Sequence, residues 1–174
     1  VVIATGEVTT LAGLADTPDF KDGFGDVARF IYPTSITTDG TNLYVLDTGN
    51  HSIRQIVITS GIDYGKVTTL AGTGLQGSSD TLIGTPASFD TPYGITTDGT
   101  NLYVSDAGNH IIRKIVIATG AVTTPIGTAT DPPTSGFADG KGSAASFNNP
   151  NGITSDGANL YVADTNNHTI RKIE

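Results

Sequence analysis

The sequence predicts an all-β fold made of three copies of one four-stranded unit, and three observations carry that reading. The words Asp39-Gly40-Thr41-Asn42-Leu43-Tyr44-Val45 and, just after, Asn50-His51-Ser52-Ile53-Arg54 return as Asp98 to Val104 with Asn109 to Arg113. They return again as Asp156 to Val162 with Asn167 to Arg171. The spacing is regular, 59 residues from Asp39 to Asp98 and 58 from Asp98 to Asp156, so a fixed unit is reused. Finally, the stretches free of Gly and Pro are rich in Val, Ile and Thr and alternate with period two, which predicts strands and no helix.

In chain order, Val1-Val2-Ile3-Ala4-Thr5-Gly6 matches Ile115-Val116-Ile117-Ala118-Thr119-Gly120 and reads as the tail of a unit. Glu7-Val8-Thr9-Thr10-Leu11-Ala12-Gly13 matches Lys66 to Gly72 and, more loosely, Ala121 to Gly127. These short β-branched runs closed by glycine predict strands. Each is followed by about twenty residues rich in Gly, Asp, Ser and Pro, namely 14 to 28, 73 to 87 and 128 to 145, which are connections.

Every connection ends in an aromatic three residues before a proline: Phe30 and Pro33, Phe89 and Pro92, Phe147 and Pro150. The ring can pin the loop and the proline forces an extended lead-in to the next strand. Ser35-Ile36-Thr37-Thr38, Gly94 to Thr97 and Gly152 to Ser155 then form strands ending at Asp-Gly turns. A small residue before the isoleucine permits close backbone approach. The strands Asn42 to Asp47 and Ser52 to Ile58 follow, joined by the turn that holds Gly49, Asn50 and His51. Ile62-Asp63-Tyr64-Gly65 is a four-residue addition expected to be exposed.

Nine Lys plus Arg against seventeen Asp plus Glu give a net charge of −8. Such a surface repels a phosphate backbone and an anionic bilayer alike, so neither nucleic acid nor membrane is an expected partner. No apolar run is long enough to span a bilayer, and cysteine is absent, which removes disulfides and thiolate chemistry. Few Lys and Glu among many Thr, Gly and Asn favour an extracellular or cell-surface setting. The absence of an initiator Met, and of any Met or Trp, fits ends made by processing, design or excision.

Four-stranded antiparallel units at regular spacing are blades of a β-propeller, with a sandwich as the alternative. A blade hides neither face alone and needs a neighbour on each side. Three blades are too few to close, since propellers run from about four to eight. Blade one is read as 33–71, blade two as 92–127, and blade three as 150–174, without its outer strand. Residues 7–12 are then an outer strand with no blade of their own. Two copies that exchange this strand would make a closed six-bladed homodimer.

The pattern Pro-x-Gly-Ile, Asn-Leu-Tyr-Val-x-Asp, Asn-His-x-Ile-Arg and Val-Thr-Thr-Leu-Ala-Gly resembles the NHL repeat. Its Asn-His-Leu signature stands here as Asn50-His51-Ser52, Asn109-His110-Ile111 and Asn167-His168-Thr169. The third position departs from leucine each time, while the surrounding words agree. The resemblance implies six-bladed propellers, so this chain corresponds to half a ring. It also implies that some relatives bind RNA through basic surfaces, a property the −8 charge argues against.

The recurrent groups Asp47, Asp106 and Asp164, His51, His110 and His168, and Arg54, Arg113 and Arg171 read as framework, because catalysis normally breaks a symmetry that these groups keep. Each Asp is expected to bond turn amides, each Arg to clamp carboxylates or carbonyls between blades, and each His to satisfy turn backbone or pack on the next blade. A zinc ion would need ligands within about 2.1 Å of itself, which one imidazole per blade does not supply. No cofactor, metal or catalytic residue is assigned.

The expected function is a scaffold or protein-binding module acting through its loops, with Lys21, Asp22, Phe24, Asp26, Gln76, Asp80, Asp139 and Lys141 as candidate binding residues. Partners would be a second copy and a protein or peptide. An engineered or recently duplicated half-propeller that self-assembles fits the near-identical units. The alternative is a metal-dependent lactonase- or lyase-like six-bladed enzyme, as certain relatives imply; the innermost strands offer only hydroxyls and glycines to such a metal.

Overall fold

The computed structural model describes residues 5–81 and 86–174. Val1–Ala4, and with them most of the segment read as the tail of a unit, lie outside the described residues, as do Leu82–Thr85 of the second connection. Three antiparallel sheets follow one another along the chain. The first holds β1 (Gly23–Phe24), β2 (Pro33–Thr38), β3 (Asn42–Asp47), β4 (Ser52–Val57) and β5 (Lys66–Ala71) in the order β1-β5-β4-β3-β2. The second holds β6 (Pro92–Thr97), β7 (Asn101–Asp106), β8 (Ile111–Val116) and β9 (Val122–Ile126) in sequence order. The third stops at three strands, β10 (Pro150–Ser155), β11 (Leu160–Asp164) and β12 (Thr169–Ile173).

The first strands of the sheets stand beside one another, β2 next to β6 and β6 next to β10. This side-by-side, unclosed array is consistent with part of a propeller. Each of these strands begins at its proline and slips register one step later, after Pro33, Pro92 and Pro150. Proline offers no N–H to the ladder, so a bulge is the expected accommodation. At Gly94 a Cβ would lie 2.1 Å from the Asn151 carbonyl oxygen, so the second and third sheets meet backbone to backbone and only glycine fits.

The core lies between sheets. Tyr44, Leu46, Ile53 and Ala71 of the first sheet pack with Phe89, Ile95, Leu102 and Val104 of the second and its connection. Ile112 of the second packs with Phe147, Ile153, Leu160 and Val162 of the third. Full burial of one such side chain is worth about 1.5–3 kcal/mol, so most of the apolar stabilisation is shared across sheet boundaries.

Two details differ from the sequence expectation. The chain is not free of helical turns: the Gly-Asn-His turns contain 3₁₀ turns at Thr48–Asn50, Ala107–Asn109 and Thr165–Asn167, and two more lie in the connections. Residues 7–12, expected as a strand, pair with nothing among the described residues. A strand exists only where a neighbour takes its N–H and C=O groups. The addition at Ile62 to Gly65 is exposed at Ile62 and Tyr64, as expected, while Gly65 is buried.

Candidate functional site

The polar residues that recur in the sequence meet at one place in each sheet. Asp47 closes β3, and its Oδ1 accepts the Ile31 N–H at 2.7 Å. Its Oδ2 accepts from Asn50 at 2.9 Å and from Arg54 at 2.7 Å. Arg54 also donates to the carbonyls of Arg29 and Lys21 and to Asp22, at 2.7–2.9 Å, and its guanidinium lies 5.1 Å from the ring centres of both Phe20 and Phe30. Arg54 and Asp47 are both fully buried.

The second sheet repeats this with Asp106, Asn109, Arg113, Asp80 and Phe89. The third repeats it with Asp164, Asn167, Arg171, Asp139, Phe137 and Phe147. A guanidinium sends its planar fork to carboxylates on two sides, which suits it to hold a loop onto a sheet. Burial pushes the Asp106 carboxyl up to about 6 against the pull of Arg113 and Asn109, so it remains ionised at neutral pH.

The clamp differs from the expected one in direction. Arg54, Arg113 and Arg171 join each sheet to its own preceding connection, not to the next sheet. Histidine reaches toward the next sheet, and between the first and second sheets the Thr48 hydroxyl also donates to the Pro92 carbonyl at 2.7 Å. His51 and His110 sit in the left-handed region, at φ 47° and 58°, at the end of their 3₁₀ turns. Nδ1 of His51 accepts the Thr91 N–H and Nδ1 of His110 accepts the Asn149 N–H, both at 3.0 Å. Burial lowers the His110 pKa, with the Asp90 and Asp164 carboxylates pulling the other way, and a neutral ring is what this acceptor role needs. His168 has the same backbone, φ 57°, in the last sheet.

The loop candidates divide. Asp22, Asp80 and Asp139 occupy equivalent places and are taken up by the arginines. Lys21 contributes its carbonyl to Arg54, Asp26 its carbonyl to Arg29, and Gln76 donates to Asp90 at 2.9 Å. Phe24 is half-exposed in β1 under the Lys66 ammonium, and Lys141 lines a groove beside β12. The sequence reading missed the pairing of Asp39, Asp98 and Asp156 with the hydroxyls of Tyr44, Tyr103 and Tyr161 at 2.7–3.1 Å. The signal was present as a five-residue Asp-to-Tyr spacing repeated three times. Although burial works to raise it, hydrogen bonds from Asn101, Thr100 and Tyr103 hold the Asp98 carboxyl at about 2. Among the described residues, no three His, Cys, Asp or Glu group as metal ligands.

The NHL repeat model matches residues 147–173, the lead-in and strands of the third sheet. NHL repeat-containing protein 2 of Gallus gallus is 36% identical over 101 residues, covering 58% of this chain and 13% of that protein. Its counterpart in Bos taurus is 30% identical over 189 aligned positions, covering 97% of this chain and 24% of that protein. The chain belongs to the NHL-repeat family. It spans about a quarter or less of the length of these curated relatives. Among solved structures, an auxiliary nutrient binding protein from Bacteroides thetaiotaomicron superposes with a TM-score of 0.68 at 26% identity, over 80% of this NHL chain and 36% of that one. The NHL match takes in the Asn167-His168 turn and the Asp164–Asn167–Arg171 clamp of the third sheet. No helix among the described residues is long and apolar enough to cross a membrane.

Proposed function

We propose that this chain is a non-catalytic scaffold that binds a protein or peptide through its loops, and that two copies complete a six-bladed β-propeller by exchanging residues 7–12. The supporting observation is the threefold reuse of one polar set. Asp, Asn and Arg are engaged at the same places in each sheet, and His in the first two, in holding loops and neighbours, while the connections are what differs from unit to unit. Long loops fastened to a rigid sheet are where recognition commonly resides. These connections also carry exposed apolar side chains, among them Phe24, Val27 and Leu75. The Bacteroides structure similar to this chain is described as a binding protein, which agrees with a role in recognition.

In this reading blade one is 33–71, blade two 92–127 and blade three 150–174, each a framework for its loop. Light scattering tests the ring: a mass of about 36 kDa, twice the 17.9 kDa of one chain, supports it and 17.9 kDa refutes it. Panning a random peptide library against the chain tests the loops. Binders whose affinity falls at least tenfold with Phe24→Ser or Leu75→Ser support a loop site. Binders indifferent to every loop substitution would place recognition elsewhere.

A further inference from the structure

The second unit departs from the other two at one place, and does so with two residues. After the phenylalanine that ends each connection stands Ile31 in the first unit, Asp90 in the second and Asn148 in the third. Their backbones are equivalent. Each N–H goes to the repeated carboxylate, Asp47, Asp106 or Asp164, and each carbonyl accepts from the 3₁₀ turn, at Gly49, Gly108 or Asn166. The second departure is in the connection itself. Asn50, Asn109 and Asn167 donate to the carbonyls of Asp19, Gly77 and Gly136, and the next residue is Phe20, Ser78 or Phe137. Phe20 and Phe137 lie over Arg54 and Arg171, whereas Arg113 has a ring, Phe89, on one side only among the described residues.

Both departures line one cavity. It measures about 240 Å³ and lies between the second and third connections, with Gln76, Ser78, Asp90, Asn109, Thr130 and Asp131 in its wall. Asp90 is 9% exposed and Asn109 3%. The two carboxylate oxygens of Asp90 take one bond each, from Gln76 and from the Thr91 hydroxyl, both at 2.9 Å. Asn109 gives its amide hydrogens to Gly77 and Asp106, and among the described residues its Oδ1 accepts nothing. The Gln76 amide oxygen likewise accepts nothing there, and the exposed Asp131 carboxylate has no partner. Arg113, the buried cation of this sheet, is held by Asp80 and Asp106. His110 feels the Asp90 carboxylate but acts as a neutral acceptor for the Asn149 N–H. The cavity therefore presents acceptors from four side chains, two of them acids, and no cation.

A carboxylate withdrawn from water calls for a positive partner or further hydrogen bonds. A calcium ion would need about six to eight oxygens around it, and no three acidic or imidazole side chains group as metal ligands among the described residues. The volume is that of about eight water molecules, more than a bare ion fills. It is also below the roughly 300 Å³ at which pockets for whole small molecules begin. One long side chain with a charged end suits both limits, and Pro133 in the wall offers apolar surface to its stem.

Resting on the loop recognition proposed above, we infer that this cavity receives the cationic tip of one Lys or Arg side chain of the bound peptide. Asp90 and Asp131 are its counter-charges, and Asn109 Oδ1 accepts one of its N–H groups. The net charge of −8 draws such a peptide toward the chain from a distance. The first and third units, with Ile31 and Asn148 in place of the acid, do not offer this site, so a single basic residue is read at one position of the array.

The test uses n-butylammonium chloride, the tip and stem of a lysine without its backbone, in a titration followed by the backbone amide shifts of the whole chain at low salt. The amides of Gln76, Ser78, Asn109 and Asp131 should shift saturably, and n-butanol, the neutral counterpart, should leave them in place. Asp90→Asn copies Asn148 of the third sheet, so the fold already accommodates an amide there, and it should weaken binding about tenfold. Asp131→Asn, at an exposed side chain, should weaken it less. Shifts that do not saturate, that n-butanol reproduces, or that persist unchanged in Asp90→Asn overturn the inference. So does calcium chloride saturating the same amides at a lower concentration than butylammonium. The peptide library separates this site from the loop reading. Binders rich in Lys or Arg that weaken with Asp90→Asn support both. Binders without a basic residue, indifferent to Asp90→Asn, leave loop recognition standing and overturn the cavity's part in it. A library without binders, with butylammonium still saturating, defeats the loop reading and leaves the cation site standing.

Discussion

Ile53 in the first sheet and Ile170 in the third hold the same place in the same strand, yet one is sealed from water and the other is 74% exposed. The difference is position in the array. Between the first and second sheets, Ile53 packs in a shared cluster and His51 receives an N–H. At the two ends of the array, Ile36 and Ile170 stand in water among the described residues. The sequence of a unit thus encodes a junction more than a sheet, and a junction needs a unit on each side.

The sharpest way to break this comparison is at the arginines. Arg113→Leu leaves Asp106 buried without its cation and should cost about 3–5 kcal/mol by denaturant titration. Arg171→Leu should cost clearly less in the monomeric state, because one of its partners, Asp139, stands in water. Equal losses would mean that solvent access does not separate the two sites.

Next comes Gly94→Ala, which drives a methyl into the Asn151 carbonyl and should cost about 3 kcal/mol, the upper range for overpacking. Its calorimetric transition should fall by well over 5 °C. Val67→Ala should cost about 2 kcal/mol, while the matching Val8→Ala, at an exposed side chain, should leave stability unchanged. Denaturant titration reads that difference.

Acid offers a gentler probe. The His110 pKa is lowered in the fold, so the unfolded chain binds the extra proton first as pH falls below 6.5. Stability should therefore be whole at higher pH and decline as pH drops through that range, and His110→Gln should flatten the slope. Asp98 works in a lower window: held at about 2, its contribution is present above 3.8 and is lost as pH falls through 2. The smallest expected effect is a gain. Thr91 is β-branched at φ 48°, whereas Asn149 fills the equivalent place, so Thr91→Asn should add about 1 kcal/mol. A loss would show that the Thr91 hydroxyl bond to Asp90 at 2.9 Å outweighs the backbone strain.

The strands of each sheet were legible because β-branched periodicity and Asp-Gly turns are local signals. The Phe-to-Pro spacing also marked where each loop returns to its sheet. What the sequence concealed was direction. Arg54 reaches back 32 residues to Asp22, and nothing in the spacing of a repeat tells whether a side chain turns to its own loop or to the next unit. The link between units expected of arginine is accordingly found within each unit, while histidine reaches the next sheet as one of its two expected roles. Residues 7–12 show the complementary limit: propensity marks a strand there, but backbone pairing depends on a neighbour that propensity does not register.

One feature at the rim of the first sheet bears on what kind of polymer such a chain can become. Gly23 and Phe24 lie along β5 as a short fifth strand, pairing with Val67 and Lys66. Growth sideways, the route by which sheets stack into fibrils, meets a blocked flank there.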